Sequence, residues 1–421
     1  MEALEQSMLE RGIRARAAAQ GLRNAPAEAR TRALKALSAG IRAKADDILK
    51  ANGTDLDAGR ANGMTEAMLD RLALNPARIE GIADAVEIIA NVKDPLGVET
   101  ERWIAPGNGL DIARTRTPIG VLGVIYESRP NVTADAAALC IRSGNAAILR
   151  CGSDCLHSSL AIAEVISDAL SQAGLPEDAI QLIDTPDRAA VGLMLQGLEG
   201  TIDVIIPRGG KSLVARVQAE ARTAVLSHLE GMNHSYVHAA ADHEKARALV
   251  LNAKMRRVSV CGATETLLID KAIAPDLLPW IAADLSAKGC ELRGDAAARA
   301  IVPGMTTASE EDWSTEYLAP ILSVAVVDDL DAAIAHIGRY GSGHTEAIIT
   351  EDAQAAANFL NRVDSAIVVH NASTQYADGG EFGFGGEIGI ATGRLHARGP
   401  VGAEQLTTYK YVVRGQGQTR P

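Results

Sequence analysis

From about residue 156 to residue 370, helix-like and strand-like segments alternate along the chain. The helix-like segments repeat apolar residues every three or four positions, and the strand-like segments are short apolar runs such as AIQLIDT, IDVIIP, ILSVAVV and AIVVHN. Apolar strands that alternate with helices are typical of parallel sheets covered by helices on both faces. The sequence therefore predicts an α/β fold. Because the alternation is interrupted near residue 240, we expect two parallel sheets.

Two segments do not fit this alternation. Residues 101–118, ERWIAPGNGLDIARTRTP, predict two strands around a turn at residues 106–109, and residues 404–421, EQLTTYKYVVRGQGQTRP, predict a last strand with no helix to pack on. Strands without a partner usually pair with an exposed sheet edge, often on another subunit. We therefore expect a β arm that docks onto such an edge, and the alternative is a frayed tail.

Charge and composition limit the partners of the chain. Its formal net charge is −12, whereas binding to a nucleic-acid backbone requires clustered Lys and Arg, so we expect no nucleic-acid partner. The first residues lack the apolar centre of a signal peptide, and no apolar run reaches the ~20 residues that span a bilayer. We therefore expect a cytoplasmic protein without membrane association.

The chain contains five cysteines at irregular spacing, namely Cys140, Cys151, Cys155, Cys261 and Cys290. An odd number of cysteines in a chain without a secretion signal indicates reduced thiols. No second pair of Cys or His follows Cys151 and Cys155 at zinc-binding spacing, so we predict no metal site.

Cys261 has two interpretations. It follows the basic pair Arg256 and Arg257 and precedes the strand-like run TLLI. Free cysteine is among the most buried residue types, so Cys261 could fill a core. Alternatively, nearby positive charge could favour its thiolate and make it a nucleophile. The residues alone leave both interpretations open.

Two glycine-rich strings resemble nucleotide-binding motifs. GFGGEIG, Gly383–Gly389, follows no clear strand–turn–helix unit, so we interpret it as a loop. RGGKS, Arg208–Ser212, is not a P-loop because Ile205 stands where that motif requires glycine. A strand that ends in two glycines before a helix can still point backbone N–H groups at an anion. The alternative is a plain strand-to-helix turn.

The string from Thr117 to Gly152 predicts a βαβ unit. Strand VLGVIY leads into a polar loop with Arg129 and Asn131, a helix follows, and strand NAAILR ends at Arg150. Open α/β sheets bind ligands at the carboxyl ends of their strands. A guanidinium there suits a phosphate group, and the alternative is a solvated arginine.

A tight polar turn, Arg339–Ile349, contains His344 and leads into a strand. Polar clusters on such turns suit the wall of an active site. The alternative is a solvated loop.

Nearly the whole chain resembles the aldehyde dehydrogenase superfamily. The resemblance rests on GVLGVIYESRPNVTADAAALCIRSGNAAILR, IIPRGG, CGATETLLID, VVDDLDAAIAHIGRYGSGHTEAII, FGFGGEIGIATGRLHARGPVG and LTTYKYVVRGQGQTR. General aldehyde dehydrogenases do not carry the fourth string, which points to a branch that reduces an acyl phosphate. The resemblance implies two α/β domains with parallel sheets, one for the cofactor and one for catalysis, and a β arm for oligomerisation.

The resemblance also divides the chain. It implies an NADP-binding domain over residues 1–238, with residues 101–118 contributing to the arm, and a catalytic domain over residues 239–370. Residues 371–400 would return to the cofactor domain, and residues 401–421 would form the oligomerisation strand.

The implied reaction is reduction of L-glutamyl 5-phosphate by NADPH to L-glutamate 5-semialdehyde and phosphate, through a thioester on the catalytic cysteine. A homo-oligomer, and association with the glutamate 5-kinase that makes the unstable substrate, are expected. The alternative is a hydrolytic NAD(P)-dependent aldehyde dehydrogenase of the same fold.

The resemblance implies catalytic roles for two residues. Cys261 is the nucleophile, and the Asn131 amide holds the oxyanion together with the backbone N–H of the cysteine. Contacts to the charged groups of the substrate are predicted at Arg129, His344 and Arg398.

Four residues have implied cofactor roles. Arg150 lies at the adenosine ribose or its phosphate, Gly209 and Gly210 form the turn near the dinucleotide, and Glu316 binds the nicotinamide ribose.

Some residues depart from the pattern of the superfamily. The glutamate that activates water in hydrolytic members falls on His228, with Glu230 two residues later, and this loss favours acyl phosphate chemistry. The branch usually has a cysteine where Asn233 precedes His234, and commonly an asparagine where Gly262 follows the nucleophile.

Overall fold

The computed structural model describes residues 2–227 and 230–420. The chain forms two compact units. Unit 1 comprises Met1–Ser227, Gly383–Gly389 and Pro400–Pro421, and unit 2 comprises His228–Phe382 and Ile390–Gly399. Within the described part of the chain, no helix combines the length and hydropathy needed to cross a bilayer.

Unit 1 begins with five helices that the alternation pattern does not cover. The elements up to residue 225 are α1 Glu2–Asn24, α2 Ala27–Ala43, α3 Ala45–Ala61, α4 Glu66–Leu72, α5 Pro76–Asn91, β1 Glu99–Ile104, β2 Asp111–Pro118, β3 Val121–Tyr126, α6 Asn131–Ser143, β4 Ala146–Arg150, α7 Leu156–Gln172, β5 Ile180–Leu182, α8 Ala189–Leu195, β6 Val204–Arg208, α9 Lys211–Glu220 and β7 Ala224–Val225.

The main sheet of unit 1 is parallel and has the order β5-β4-β3-β6-β7. Its strands β3 and β4 are buried throughout, as expected for a sheet covered on both faces. Helix α6 between them ends at Gly144, whose left-handed φ of 72° suits glycine. The strand order reverses between β3 and β6, so the carboxyl ends of these two strands form the topological switch point where such sheets bind ligands.

The second sheet of unit 1 is the predicted arm. Strands β1 and β2 pair antiparallel around the turn, and β17, Thr407–Arg414, pairs with the other edge of β2. The predicted hairpin and the docking of the last strand are therefore confirmed. The edge that β17 occupies lies on the same chain, because β17 aligns with β2 from Pro118 to Asp111.

Unit 2 contains the second predicted α/β alternation. Its elements, up to the boundary with the last strand, are β8 Asn233–Val237, α10 His243–Met255, β9 Thr264–Asp270, α11 Ala274–Ala287, β10 Glu291–Gly294, α12 Ala296–Ile301, β11 Thr306–Thr307, β12 Ile321–Val327, α13 Leu330–Tyr340, β13 Thr345–Ile349, α14 Ala353–Arg362, β14 Ile367–His370, β15 Ile390–Ala391 and β16 Gly399–Pro400.

The sheet of unit 2 is parallel and has the order β11-β10-β12-β9-β8-β13-β14. Successive residues of a strand point to opposite faces. Leu267 accordingly lies in the core formed with α10, α11 and α12, while Leu268 lies in the core formed with α13 and α14. Both faces of the sheet are covered, as the apolar strands predict.

The structure corrects the predicted division of the chain at two places. Strand β8 was expected in the first domain, but it pairs with β9 and β13 and so belongs to unit 2. Of residues 371–400, only Gly383–Gly389 and Pro400 belong to unit 1. GFGGEIG is a loop without helix or strand, as predicted.

Candidate active site

Cys261 differs from the other four cysteines in its surroundings. All five are thiols in the structure, and Cys261 is half-buried whereas the others are at most 5% exposed. It occupies a tight turn before β9, in which the Ala263 N–H donates to the Val260 carbonyl at 3.0 Å. A thiol on a turn at the edge of a core suits a nucleophile better than a filling residue.

The turn of Cys261 is in close contact with Gly231. A Cβ atom at residue 231 would lie 2.2 Å from the Cys261 carbonyl oxygen and 2.9 Å from Glu316 Oε1. Real Cβ atoms do not approach other atoms so closely, so this position requires glycine. The structure therefore brings Glu316 to the nucleophile turn, and its predicted role at the nicotinamide ribose stays a prediction.

The loop that carries Glu316 rests on a buried ion pair. Lys254 Nζ lies 2.5 Å from Glu265 Oε2, and both side chains are fully buried. The other oxygen, Glu265 Oε1, accepts from the Leu318 backbone N–H at 3.4 Å. Burial raises the pKa of Glu265 to about 7, although Lys254 acts to lower it. The pair thus links helix α10, strand β9 and the loop of Glu316.

A bulge explains how a carboxylate of β9 reaches this position. Asn233 aligns with Thr264 and His234 with Thr266, so Glu265 is the extra residue between two aligned pairs. An extra residue bends its strand and redirects a side chain, and bulges often occur beside active sites. Neither the Lys254–Glu265 pair nor Gly231 was predicted from the sequence.

A second buried pair lies at the start of β8 and β13. His234 Nδ1 lies 2.9 Å from Glu346 Oε2, and the same oxygen accepts from the His234 backbone N–H at 2.8 Å. Burial raises the pKa of Glu346. The His336 ring packs edge-on against His234, and burial lowers the pKa of His336 to about 3. This cluster cross-links two neighbouring strands at the end of the sheet that carries Cys261.

The predicted substrate residues of unit 2 are engaged within the protein. His344 is fully buried, and its Nδ1 lies 2.8 Å from Thr345 Oγ1. The Arg398 guanidinium donates to an Asp364 carboxylate oxygen at 2.6 Å and to the Asp364 carbonyl at 2.8 Å. Their roles in substrate binding stay predictions. His228 lies outside the described residues.

In unit 1, Gly209 and Gly210 lie at the topological switch point. They connect β6 to α9, as the sequence predicted, and the Gly210 N–H donates to Glu127 Oε2 at 3.0 Å. Glu127 directly follows β3, and a Cβ atom at residue 209 would lie 2.4 Å from the same carboxylate oxygen. The N-terminus of α9 therefore binds a carboxylate oxygen in this structure, and a side chain at residue 209 would displace that carboxylate.

Asn131 begins helix α6 beside this turn. Its Nδ2 donates to Asp135 Oδ2 at 2.9 Å, one helical turn further along. An amide group has two N–H donors, so this bond orients Asn131 and uses one of them. Burial raises the pKa of Asp135 to about 6, while the bond from Asn131 and the charge of Arg208 lower it. Arg129, in the same loop, is exposed.

We expect the Asp135→Asn variant to be more stable than the wild type at pH 8, because an amide avoids the cost of burying a charge. The folded-state pKa of Asp135 lies above the ordinary value of 3.8. The stability that this carboxyl contributes is therefore present at low pH and is lost as the pH rises to about 6. The gain in melting temperature should shrink between pH 8 and pH 5. A gain that is constant with pH would contradict this assignment.

Arg150 ends β4 as predicted, but its guanidinium points into the protein. It donates to the carbonyls of Cys151 and Pro186, the second at 3.0 Å, and the residue is 8% exposed. The alternative of a solvated arginine is thereby wrong. Contact of Arg150 with a cofactor phosphate stays a prediction.

The structure thus groups the predicted residues in two places. Cys261 and Glu316 lie together at the amino ends of the strands of unit 2. Asn131, Gly209 and Gly210 lie at the carboxyl ends of β3 and β6 in unit 1.

Comparison with known proteins identifies relatives over the full length. The family model described as "Aldehyde dehydrogenase family" matches residues 5–291 and 283–412. The chain is 68% identical over 410 residues to a γ-glutamyl phosphate reductase of Caulobacter vibrioides, covering 97% of this chain and 99% of the relative. It is 64% identical over 419 residues to a γ-glutamyl phosphate reductase of Hyphomonas neptunium, covering 100% and 98%.

A solved structure is similar over the same length. The crystal structure of γ-glutamyl phosphate reductase from Thermotoga maritima superposes with a TM-score of 0.95 and 43% sequence identity, covering 98% of this chain and 100% of that chain. The predicted fold class and the resemblance are thereby confirmed.

Proposed function

Since this chain belongs to the aldehyde dehydrogenase family and, within it, to the γ-glutamyl phosphate reductases, we propose that it reduces L-glutamyl 5-phosphate to L-glutamate 5-semialdehyde and phosphate with NADPH. This reaction is the second step of proline biosynthesis from glutamate. The observation that carries the proposal is the half-buried thiol of Cys261, on a tight turn beside the Glu316 carboxylate. Relatives at this level of identity favour it over the hydrolytic alternative.

The residues of unit 1 fit a dinucleotide. The switch point of its sheet ends in the Gly209–Gly210 turn, and the Gly210 N–H, just before α9, already donates to the Glu127 carboxylate oxygen. A phosphate oxygen has the same charge and acceptor chemistry, and helix N-termini favour such groups. We assign the diphosphate to this turn, the adenosine phosphate to Arg150 and the nicotinamide ribose to Glu316. When bound, NADPH supplies the hydride.

Cys261 carries the covalent step. Its thiolate attacks the carbonyl carbon of the acyl phosphate, the bond from carbon to the phosphate oxygen breaks, and phosphate leaves with its electron pair. The product is a thioester on Cys261. After reduction of the thioester, cleavage of its carbon–sulfur bond releases the aldehyde and restores the thiolate.

Backbone and amide N–H groups stabilise the charge that develops on oxygen. We assign this role to the Asn131 amide and the backbone N–H of Cys261, and one such donor contributes roughly 3 kcal/mol. Asp135 fixes the orientation of the Asn131 amide through one N–H, which leaves the other for the oxyanion. Arg129, His344 and Arg398 are proposed for the charged ends of the substrate.

The proposal extends to assembly and location. Tyr409, Tyr411 and Val413 on the edge strand β17 are more than half exposed, at 51%, 56% and 53%. An apolar edge strand is a usual site of pairing between chains. We propose that the sheet of β1, β2 and β17 joins copies of this chain, that the protein is cytoplasmic, and that it associates with the kinase that makes its substrate.

The reverse reaction tests the proposed function. NADP⁺ reduction would be followed with L-glutamate 5-semialdehyde, with and without inorganic phosphate. We expect turnover only with phosphate, because phosphate must release the acyl group from Cys261. Equal turnover without phosphate would identify a hydrolytic dehydrogenase instead.

We expect the Gly231→Ala variant to lower kcat by about 10²-fold, because a methyl group there displaces the Cys261 carbonyl and small misplacements have effects of this size. Gly338→Ala is the matched control, since a Cβ atom at that helical position meets no atom within 4 Å. The control should keep its rate. Similar rates for both variants would show that the close contact at residue 231 does not matter for catalysis.

A further inference from the structure

Asn233 makes three hydrogen bonds around the turn of the nucleophile. Its Nδ2 donates to the Cys261 carbonyl at 2.6 Å and to the Ala263 carbonyl at 2.9 Å. Its Oδ1 accepts from the Thr345 backbone N–H at 3.1 Å. The side chain is fully buried. One amide group therefore connects two residues of the turn before β9 with the first residue of β13.

These bonds fix the conformation of the main chain at Cys261. Within the turn, the Ala263 N–H donates to the Val260 carbonyl at 3.0 Å. Asn233 holds the carbonyls of the residues on both sides of Gly262, so the peptide planes after Cys261 and after Ala263 cannot rotate independently. Gly231 packs against the same Cys261 carbonyl from another direction. The orientation of residue 261 is thus set by Asn233 and Gly231 as well as by the turn.

The Asn233 side chain uses both the donor and the acceptor group of its amide. Both N–H donors and the carbonyl oxygen have partners on the backbone. A cysteine at the same place, with one weak S–H donor, could not bond to two carbonyls. The two departures noted in the sequence therefore meet at one peptide group, which joins Cys261 to Gly262. Gly262 is part of this peptide, and Asn233 donates to its carbonyl.

We propose that Asn233 is a positioning residue for the nucleophile. It acts through the main chain, by holding the Cys261 thiol and backbone N–H in the orientation that attack and oxyanion binding require. This inference rests on the proposed function only in taking Cys261 as the nucleophile. The proposed role of Asn233 makes a prediction about the reactivity of one thiol, which can be measured without substrate.

The test compares Asn233→Ala and Asn233→Ser with Asn371→Ala. Asn371 is a matched control in the same unit. Its Nδ2 donates to the Thr350 carbonyl at 2.9 Å, and its Oδ1 accepts from the Thr350 N–H at 2.9 Å. It follows β14, at the opposite end of the sheet from Cys261. Both alanine variants lose a bonded amide, so both should lower the melting temperature.

Two measurements distinguish positioning from stability. The first is the rate at which iodoacetamide alkylates Cys261, resolved by peptide mass spectrometry over a pH series. We expect the rate at pH 7 to fall about fivefold in Asn233→Ala, because the turn no longer holds the thiol in one orientation, and to stay unchanged in Asn371→Ala. The second is steady-state turnover, where kcat should fall about 10²-fold with little change in the KM for NADP⁺.

Asn233→Ser provides a graded comparison and a variant to use if the alanine variant does not fold. Its hydroxyl keeps one donor, so its alkylation rate and kcat should lie between those of Asn233→Ala and the wild type. The inference is overturned if the Asn233 variants lose stability as Asn371→Ala does, yet alkylate Cys261 and turn over at the wild-type rates. A wild-type enzyme without phosphate-dependent turnover would overturn the proposed function, while the alkylation rates would still decide the role of Asn233.

Discussion

Replacing Cys261 with alanine is expected to lower phosphate-dependent NADP⁺ reduction by at least about 10³-fold, because the variant lacks the thiol proposed to form the thioester. The other cysteines are buried and sit in the cores of the two units. Burial raises the pKa of the Cys140 thiol to about 12 and that of Cys290 to about 11, so these thiols stay protonated and unreactive at neutral pH. The rate of dinucleotide reduction, followed by absorbance, measures the effect.

The matched control is Cys290→Ala. Cys290 packs in the core beside α11, so this variant loses a small side chain and some stability, about 1 kcal/mol or more. Its kcat should remain within about twofold of the wild type, since loss of this small core side chain acts on stability and not on a group that forms the thioester. Turnover that survives in Cys261→Ala would mean that the nucleophile is another residue. Binding of NADP⁺, measured by fluorescence, should be unchanged in both variants.

Replacing Lys254 with methionine is expected to destabilise the protein by about 3–5 kcal/mol at pH 8.5, because it leaves the Glu265 carboxylate buried without its cation. Both side chains are fully buried, so water cannot compensate for the loss. The loop of Glu316 rests on Glu265 through the Leu318 N–H. We therefore also expect a higher KM for NADP⁺. Urea unfolding and steady-state kinetics measure the two effects.

The loss should depend on pH. Glu265 has a folded-state pKa of about 7, above the ordinary value of 4.5, so its contribution to stability is present at low pH and is lost as the pH rises through 7. Without Lys254 the folded-state pKa rises further, and the loss continues to higher pH. The deficit of the variant should therefore be larger at pH 8.5 than at pH 6.5.

Lys245 provides the control for this prediction. It lies on the same helix and pairs with Glu351 at 2.5 Å, but both side chains are exposed, at 40% and 51%. Lys245→Met should cost less than about 1 kcal/mol, as exposed ion pairs contribute little. Equal losses for the two methionine variants would show that burial of the Lys254–Glu265 pair is not the cause.

The sequence predicted that there are two parallel sheets, but it predicted less well which strands belong to each of them. The apolar runs of β9 and β12 specify buried strands by themselves, because their composition reflects coverage on both faces. Strand β8 was assigned to the wrong domain because the sequence of a five-residue strand does not indicate which other strands it pairs with. Strand β10, Glu291–Gly294, was missed because only one of its four residues is a large apolar residue.

In the candidate site, too, residues were predicted where their own type was sufficient and not where their role depends on the fold. Cys261, Gly209 and Gly210 could be singled out because their own residue types carry the chemistry. Asn233 was noted only as a departure and Glu265 was not noted, because the roles of both depend on partners brought to them by the fold. Glu265 did leave a signal, since a charged residue inside the run TETLLID must find a buried partner.

The position of β17 has a consequence for synthesis of the chain. Strand β2 is made before residue 120, but its second partner strand, β17, begins at Thr407. All of unit 2 up to Gly399 is synthesised between them. During translation, β2 therefore waits with one backbone edge open for nearly three hundred residues, and open edges of this kind invite pairing with other chains. A nascent chain that meets a neighbour on the same messenger could pair by this edge before its own last strand has left the ribosome.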